Sequence, residues 1–231
     1  MRIAALKGLL AAALALGCGV ASAQSSWGGF YGGLQLGVGT QTALFEDTTS
    51  TIWGGEVSRS KTTAAPGLQL GYNWLSNSLL LGLEADFNGS TAKNSATLGN
   101  PCGGCAVANV EAKVSWFSTL RARMGIVVNP NDLVYLTGGV ALAKQKWQVN
   151  LSDGVNSAAV DPTSATSSGS VFGVGLEHKL SGRTSLKAEY LNVALNREES
   201  RLTSAAFGFT NINYGVTQSI SLFRIGANWA F

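Results

Sequence analysis

Apolar and polar residues alternate with a period of two over most of the chain, which is the pattern of β-strands with two different faces. In the last such segment, one face carries Phe223 and Trp229, while the other carries Arg224 and Asn228. The pattern predicts eight strands, at 28–40, 64–75, 78–90, 112–128, 131–146, 168–180, 183–196 and 217–231.

The connections between these strands alternate in length. Three are short and rich in turn-forming residues: Ser76-Asn77, Asn129-Pro130-Asn131 and Ser181-Gly182-Arg183. Four are long and rich in Thr, Ser, Asn and Gly: 41–63, 91–111, 147–167 and 197–216. Short periplasmic turns and long external loops are typical of outer-membrane barrels. The sequence therefore predicts an all-β fold, an eight-stranded antiparallel up-and-down transmembrane β-barrel.

The composition favours a membrane β-barrel over a helical membrane protein and over a soluble β-sandwich. Only 13% of residues are charged, yet after the N-terminus no apolar run reaches the roughly 20 residues that a membrane-spanning helix needs. A soluble β-sandwich would also alternate, but its polar face would be denser in charge. Here the polar face carries many of the 29 glycines, which leave room for long charged side chains in a narrow lumen.

The N-terminus has the three parts of a signal peptide. These are a basic start at Arg2 and Lys7, an apolar core at 9–16, and the small-residue cleavage motif Ala21-Ser22-Ala23. We therefore expect a cleaved signal peptide at 1–23 and an outer-membrane β-barrel domain at 24–231, exported through the inner membrane. A lipoprotein modified at Cys18 is the alternative, although the residues before Cys18 match the lipoprotein pattern poorly.

The net charge bears on nucleic-acid binding, and the cysteines bear on disulfide, redox and metal chemistry. Without the signal peptide, 14 basic and 13 acidic residues remain, a balance that does not suit a nucleic-acid-binding protein. Export to an oxidising compartment predicts a disulfide between Cys102 and Cys105. Their spacing also fits a reactive dithiol, and a zinc site would need two further ligands. We expect no metal and no cofactor.

Eight charged side chains share the inward parity of the predicted strands. They are Glu84, Asp86, Arg121, Arg123, Glu177, Lys187, Glu189 and Arg224. Buried charges are costly unless paired, and a barrel of about eight strands is only wide enough to be filled by side chains. Four acids and four bases therefore predict a packed network of ion pairs. An ion path lined by these charges is the alternative.

A catalytic site finds little support. His178, the only histidine, alternates with Phe172, Val174 and Leu176, which places it on the lipid face near a periplasmic turn. A Ser-His-acid site needs a serine and an acid within reach of the histidine, and nothing in the sequence brings them together. We therefore expect that the protein is not an enzyme.

Aromatic residues cluster near the predicted strand ends, which predicts the two interfacial girdles of a membrane barrel, with ordinary packing as the alternative for some of them. The periplasmic group is Trp27, Phe30, Tyr72, Trp74, Trp229 and Phe231, and the opposite group is Phe87, Trp116 and Trp147. We also expect Trp229 and the terminal Phe231 to form the signal that the outer-membrane assembly machinery reads.

Five stretches of the chain carry a family resemblance. They are WGGFYGGLQLGVG at 27–39, GLQLGYNWLSNSLLLGLEADFNGS at 67–90, 116–143, 173–193 with its SLKAEYLNV, and 223–231. These stretches resemble the small alphaproteobacterial barrel family of outer-membrane immunogenic or opacity-like proteins, which is built on an OmpA-like barrel domain.

The resemblance implies an abundant, surface-exposed barrel without a known catalytic site, with envelope-structural or porin-like roles. We expect a non-catalytic integral protein that contributes to envelope structure and surface contact, with a small porin as the alternative. The expected partners are outer-membrane lipid, the assembly machinery and periplasmic chaperones. Host or surface ligands would bind the long loops.

Overall fold

A computed structural model of the chain describes residues 27–47, 56–98, 107–152, 157–159, 163–204 and 209–231. These residues form β-strands joined by turns. The strands are β1 (Gly29–Asp47), β2 (Glu56–Ser76), β3 (Leu79–Gly89), β4 (Lys93–Leu98), β5 (Val107–Asn129), β6 (Asp132–Ser152), β7 (Ser157–Ala159), β8 (Thr163–Lys179), β9 (Thr184–Leu195), β10 (Glu198–Ser204) and β11 (Phe209–Ala230).

Eight long strands close into a ring. Their order is β1-β2-β3-β5-β6-β8-β9-β11, and β11 pairs back onto β1 from Tyr31↔Ala230 to Asp47↔Tyr214. Every pairing around the ring is antiparallel. The short strands β4, β7 and β10 pair with β5, β6 and β11. The predicted closed antiparallel barrel is therefore confirmed.

Side chains alternate between the lumen and the outside along each strand, because successive residues of a strand point to opposite faces. In β3, Glu84 is 1% exposed, whereas its neighbour Leu83 is 49% exposed. We call the outward apolar side chains the apolar belt. It includes Leu36, Leu70, Leu83, Leu120, Leu136 and Ile225. An outward band of this kind is the lipid-facing surface of a membrane barrel.

The three predicted short turns lie at one end of the ring. The turn between β2 and β3 consists of Asn77 and Ser78, and Asn77 has a φ of 55°. Asparagine tolerates this left-handed conformation better than most residues, and two-residue hairpins require it. Residues 130–131 join β5 to β6, and 180–183 join β8 to β9. By the expected topology, this end faces the periplasm.

The strands are longer than predicted at the opposite end, so the predicted long connections are wrong as drawn. Parts of 41–63, 91–111, 147–167 and 197–216 are strand, and β5 alone has 23 residues. A tilted membrane strand needs only about 9–11 residues. Beyond the apolar belt the outward side chains are mostly polar, whereas inward ones such as Phe45, Ala112 and Trp147 are apolar and buried. The contrast of apolar outward and polar inward residues that marked the strands is therefore lost there. The barrel wall continues well outside the membrane.

Within the described part of the chain, no helix is long and apolar enough to cross a membrane.

Candidate functional site in the lumen

All eight inward charges of the sequence prediction lie inside the barrel. Glu84 and Asp86 project from β3, Arg121 and Arg123 from β5, Glu177 from β8, Lys187 and Glu189 from β9, and Arg224 from β11, and none is more than 5% exposed. Residue parity places them there, because each shares a face with other buried residues of its strand. We refer to these eight side chains as the lumen charge network.

Arg121 is at the centre of the lumen charge network. Its guanidinium donates to Asp86 Oδ2 at 2.9 Å and to Glu189 Oε1 at 2.8 Å, and it also pairs with Glu84. Glu84 and Asp86 lie on the neighbouring strand β3, whereas Glu189 lies on β9, which pairs with β8 and β11. A single arginine therefore ties together walls of the barrel that share no backbone hydrogen bonds.

Arg224 and Lys187 complete the same cluster from β11 and β9. Arg224 Nη1 donates to Asp86 Oδ2 at 3.0 Å, and its Nε and Nη2 atoms both bind Glu189 Oε2. Lys187 Nζ lies 3.3 Å from Glu84 Oε1 and also binds Gln69. Each acid of this cluster thus contacts at least two cations, as the high cost of a buried unpaired charge requires.

Arg123 lies between two tyrosine rings on the periplasmic side of Arg121. Its guanidinium carbon is 5.4 Å from the centroid of the Tyr31 ring and 4.0 Å from that of Tyr135, within the range of cation–π contact. Arg123 Nη2 donates to Glu177 Oε2 at 2.8 Å. The Tyr31 hydroxyl donates to Glu84 at 2.6 Å, so the tyrosines join Arg123 to the central cluster.

Two glycines make room for these tyrosines. Gly71 lies opposite Tyr31 in the β1–β2 register, and Gly175 lies opposite Tyr135 in the β6–β8 register. A Cβ atom built on either glycine collides with the tyrosine ring facing it. Sequence reasoning did not single out Tyr31 or Tyr135. The signal available was parity, since Tyr31 shares a face with the buried Gln35.

Neutral polar side chains donate hydrogen bonds to the carboxylate oxygens that no cation of the lumen charge network contacts. Asn228 Nδ2 and the Ser185 hydroxyl donate to Glu177 Oε1 at 2.8 and 2.5 Å. Asn88 Nδ2 donates to Asp86 Oδ1 at 2.7 Å, and Asn88 Oδ1 accepts from Gln35 Nε2 at 2.8 Å. The lumen charge network therefore extends into the walls of the barrel through amides and hydroxyls.

An apolar layer covers the lumen charge network on the external side. Its buried side chains include Phe117, Val171, Leu191, Val193, Ile220 and Leu222. Beyond it, Gln41 Nε2 donates to Gln218 Oε1 at 2.7 Å, and Gln218 donates to Gln145, which forms a chain of amides from β1 to β6. The expectation of a polar interior with small residues is thus incomplete, because large apolar side chains also fill it.

On the periplasmic side, Trp27, Leu80 and Leu133 pack inside the barrel mouth, and the Lys179 ammonium lies 4.5 Å from the Trp27 ring centroid. The expected place of Trp27 and Trp147 in the interfacial girdles is wrong, since they are only 7% and 4% exposed. Trp147 has the inward parity of β6, and Trp27 lies two residues before β1 with the same parity as the buried Tyr31.

Outward aromatic residues nevertheless cluster at both borders of the apolar belt. Phe30, Tyr72 and Trp74 stack edge to face at the periplasmic end, with ring centroids 4.6 and 4.7 Å apart. Phe87 and Trp116 lie 5.5 Å apart at the external end. Trp229 and Phe231 also face outward, and the Phe231 amide donates to Phe30 O at 3.0 Å.

His178 points outward at the periplasmic rim, where the sequence placed it. Its Nδ1 lies 2.6 Å from Asp132 Oδ1, because β6 and β8 pair these two residues. Hydrogen bonds from His178 and Asn129 lower the pKa of Asp132, which lies beside the turn and outside the apolar belt. Sequence reasoning missed this acid, since the β6–β8 register is not visible in the chain. Both side chains are about half exposed.

The remaining predicted sites lie elsewhere. Cys102 and Cys105, like the predicted signal peptide at 1–23, fall outside the described residues. Among the residues that are described, no group of three or more histidine, cysteine or acidic side chains is placed to hold a metal ion.

Curated proteins with similar sequences include outer-membrane proteins of Brucella. The 31 kDa outer-membrane immunogenic protein of Brucella melitensis is 34% identical over 166 residues, which are 71% of this chain and 65% of that protein. The matched region thus spans somewhat less than two thirds of that relative. The 25 kDa outer-membrane immunogenic protein of Brucella abortus is 32% identical over 208 residues, or 90% of this chain and 81% of the relative.

Among solved structures, OprG from Pseudomonas aeruginosa aligns with 88% of this chain and 99% of its own, at 13% identity and a TM-score of 0.47. The family model of the outer membrane protein β-barrel domain matches residues 9–230. Together with the closed ring of strands, this match means that the chain belongs to the outer-membrane β-barrel domain family and is an outer-membrane protein.

Proposed function

We propose that the protein is a non-catalytic structural barrel of the outer membrane with a closed lumen, contributing to envelope structure and, through its external end, to surface contact. The observation that carries this proposal is the lumen charge network. Arg121, Glu84, Asp86 and Glu189 have side chains with no solvent-accessible surface and are paired with one another across the interior.

Conduction would require this network to open. Its members come from five strands, so a continuous water path must separate several ion pairs at once. Each separated charge in an interior of low dielectric costs several kcal/mol unless water replaces its partner. The apolar layer at Phe117, Leu191 and Ile220 adds a second obstacle, since a water path must cross a surface that offers it no hydrogen bonds.

The balance of charge also supports a closed barrel over a selective pore. Selective pores use rings of one sign of charge or of carbonyl groups. Here four cations and four anions are buried together. A non-catalytic role is supported by His178, whose partner Asp132 lies with it at the exposed rim of the barrel.

Planar-bilayer recording of the refolded barrel tests the proposal. The protein is delivered to the bilayer from lipid vesicles, and we expect the conductance to stay at baseline. Protein recovered from the same vesicles is shown to be folded and inserted by its heat-dependent mobility on a gel. Arg121→Ala serves as the companion variant, because it removes the cation at the centre of the network. Resolved conductance steps in the unmodified barrel, with an ion selectivity that Arg121→Ala shifts, would favour a small porin instead.

A further inference from the structure

The outward face of the barrel changes abruptly at the external border of the apolar belt. Along β6, the outward side chains from Val134 to Leu142 include four apolar residues that are 46–58% exposed. The next two outward residues are Lys144 and Lys146. The same change occurs on β5, where exposed Leu120 is followed toward the external end by Trp116 and then Lys113.

Three lysines lie side by side across three adjacent strands at this border. Lys93 on β4 is directly opposite Lys113 on β5, and Lys113 is directly opposite Lys146 on β6. Lys144 lies one outward position closer to the membrane, opposite Trp116. We call these four residues the outer lysine patch.

Like charges directly opposite each other in a sheet are destabilising, so this arrangement needs a compensating anion. Among the ion pairs of the described residues, one involves the patch: Lys93 Nζ lies 2.8 Å from Glu111 Oε2. That single carboxylate leaves a net charge of +3 on the four lysines and Glu111. The described part of the chain therefore supplies too little negative charge at this place to balance the lysines.

The patch does not continue onto β8, the next strand of the ring. The residues opposite Lys144 and Lys146 on β8 are the uncharged Thr166 and Ser164. The outward residues near the external border are also uncharged on β1, β9 and β11, where they are Thr40, Thr42, Asn192, Ser219 and Ser221.

We propose that the outer lysine patch binds the phosphate groups of a phosphorylated outer-leaflet glycolipid of the lipid A type, whose acyl chains lie on the apolar belt beneath. A lipid fits better than a soluble anion because the patch is continuous with apolar surface. Trp116 and Phe87 stack at the junction between the two, the level at which aromatic rings contact lipid headgroups. This inference goes beyond the closed-barrel proposal and does not depend on whether the lumen conducts.

The test compares two variants that each remove two positive charges. Lys113→Gln/Lys146→Gln removes the centre of the patch, and Arg59→Gln/Lys61→Gln removes two exposed cations of β2 at the external end. Refolded protein in neutral detergent micelles is titrated with bisphosphorylated lipid A, and bound lipid is counted by native mass spectrometry. Folding of each variant is verified by circular dichroism.

A lysine near an anionic lipid surface contributes about fivefold in affinity, so the patch variant should bind roughly thirtyfold more weakly. We expect the β2 variant to bind like the unmodified protein, and added salt to weaken binding. Equal loss in the two variants would overturn the proposal. So would equal binding of dephosphorylated lipid A, or binding of the soluble phosphorylated sugar headgroup as tight as that of the intact lipid.

Discussion

Arg121 on β5 and Glu189 on β9 are hydrogen-bonded across the interior of the barrel, with 2.8 Å between Nη1 and Oε1, although their strands are not neighbours. Backbone hydrogen bonds hold each strand only to the two beside it. Contacts of this kind therefore add a second set of connections, through the lumen, to those that run around the wall.

Removing Arg121 should destabilise the barrel strongly. Arg121→Ala leaves Glu84, Asp86 and Glu189 short of a cation inside the barrel, and we expect a loss of about 3–5 kcal/mol in the free energy of unfolding. Urea unfolding of the refolded protein in lipid vesicles measures this loss. Arg183→Ala, in an exposed periplasmic turn, is the matched control and should change little.

A second variant separates loss of a charge partner from loss of side-chain packing. In Arg121→Met/Glu84→Gln, one acid is neutralised together with the arginine, and the shape of both side chains is largely kept. We expect this variant to recover part of the stability lost in Arg121→Ala. If Arg121→Ala unfolds at the same urea concentration as the unmodified protein, the lumen is hydrated and the packed network is wrong.

The glycines opposite the two tyrosines should not tolerate a methyl group. Gly71→Ala and Gly175→Ala each place a Cβ where a tyrosine ring lies, so either the ring or the backbone must move. Overpacking of this kind costs about 1–3 kcal/mol. Gly182→Ala is the control, because a Cβ there meets no atom within 4 Å. Tyr31→Leu should relieve the defect of Gly71→Ala but leave that of Gly175→Ala, and rescue of both would contradict the pairing.

The chain of amides above the apolar layer also contributes to stability. Gln218→Ala removes the residue that hydrogen-bonds both Gln41 and Gln145, and both of these are fully buried. Leaving such groups unsatisfied costs about 1–3 kcal/mol each. Gln148→Ala, with an exposed hydrogen bond to Asn150, should be nearly neutral in the same unfolding assay. Equal effects of the two substitutions would mean that water reaches the amides.

Cys102 and Cys105 should form a disulfide in the exported protein. Protein isolated without reductant should take up no alkylating reagent at these positions until it is reduced, which peptide mass spectrometry measures. The bridge closes a very short loop, so its removal in Cys102→Ser/Cys105→Ser should change the free energy of unfolding little. Alkylation of both thiols before reduction would contradict the pairing.

Sequence reasoning found the barrel and its inward charges because a strand has a strict period of two. That period assigns Glu84 and Leu83 to opposite faces without any knowledge of the neighbouring strand. The partner that an inward side chain meets across the lumen cannot be derived from this period. Arg121 meets Glu189 only because of the stagger of the strands around the ring, and no local pattern records that stagger.

Local irregularity also limits what parity can predict. In β5 the register with β6 shifts between Val114 and Trp116, so even-numbered residues face inward before this bulge and odd-numbered residues after it. The bulge turns Trp116 away from the lumen. The prediction assigns Trp27 and Trp147 to the girdles from their position near the predicted strand ends, without regard to their parity, which is inward.

The length of the strands has a mechanical consequence. At about 3.3 Å per residue and a tilt near 40°, the 23 residues of β5 rise far above an apolar band about 25 Å tall, leaving roughly 30 Å of hydrogen-bonded wall outside the lipid. β6 accompanies β5 over this length, from Asn129↔Asp132 to Val107↔Ser152. This wall holds the external ends of β5 and β6 at a fixed height above the bilayer, and it is there that an antibody or a neighbouring cell meets the barrel.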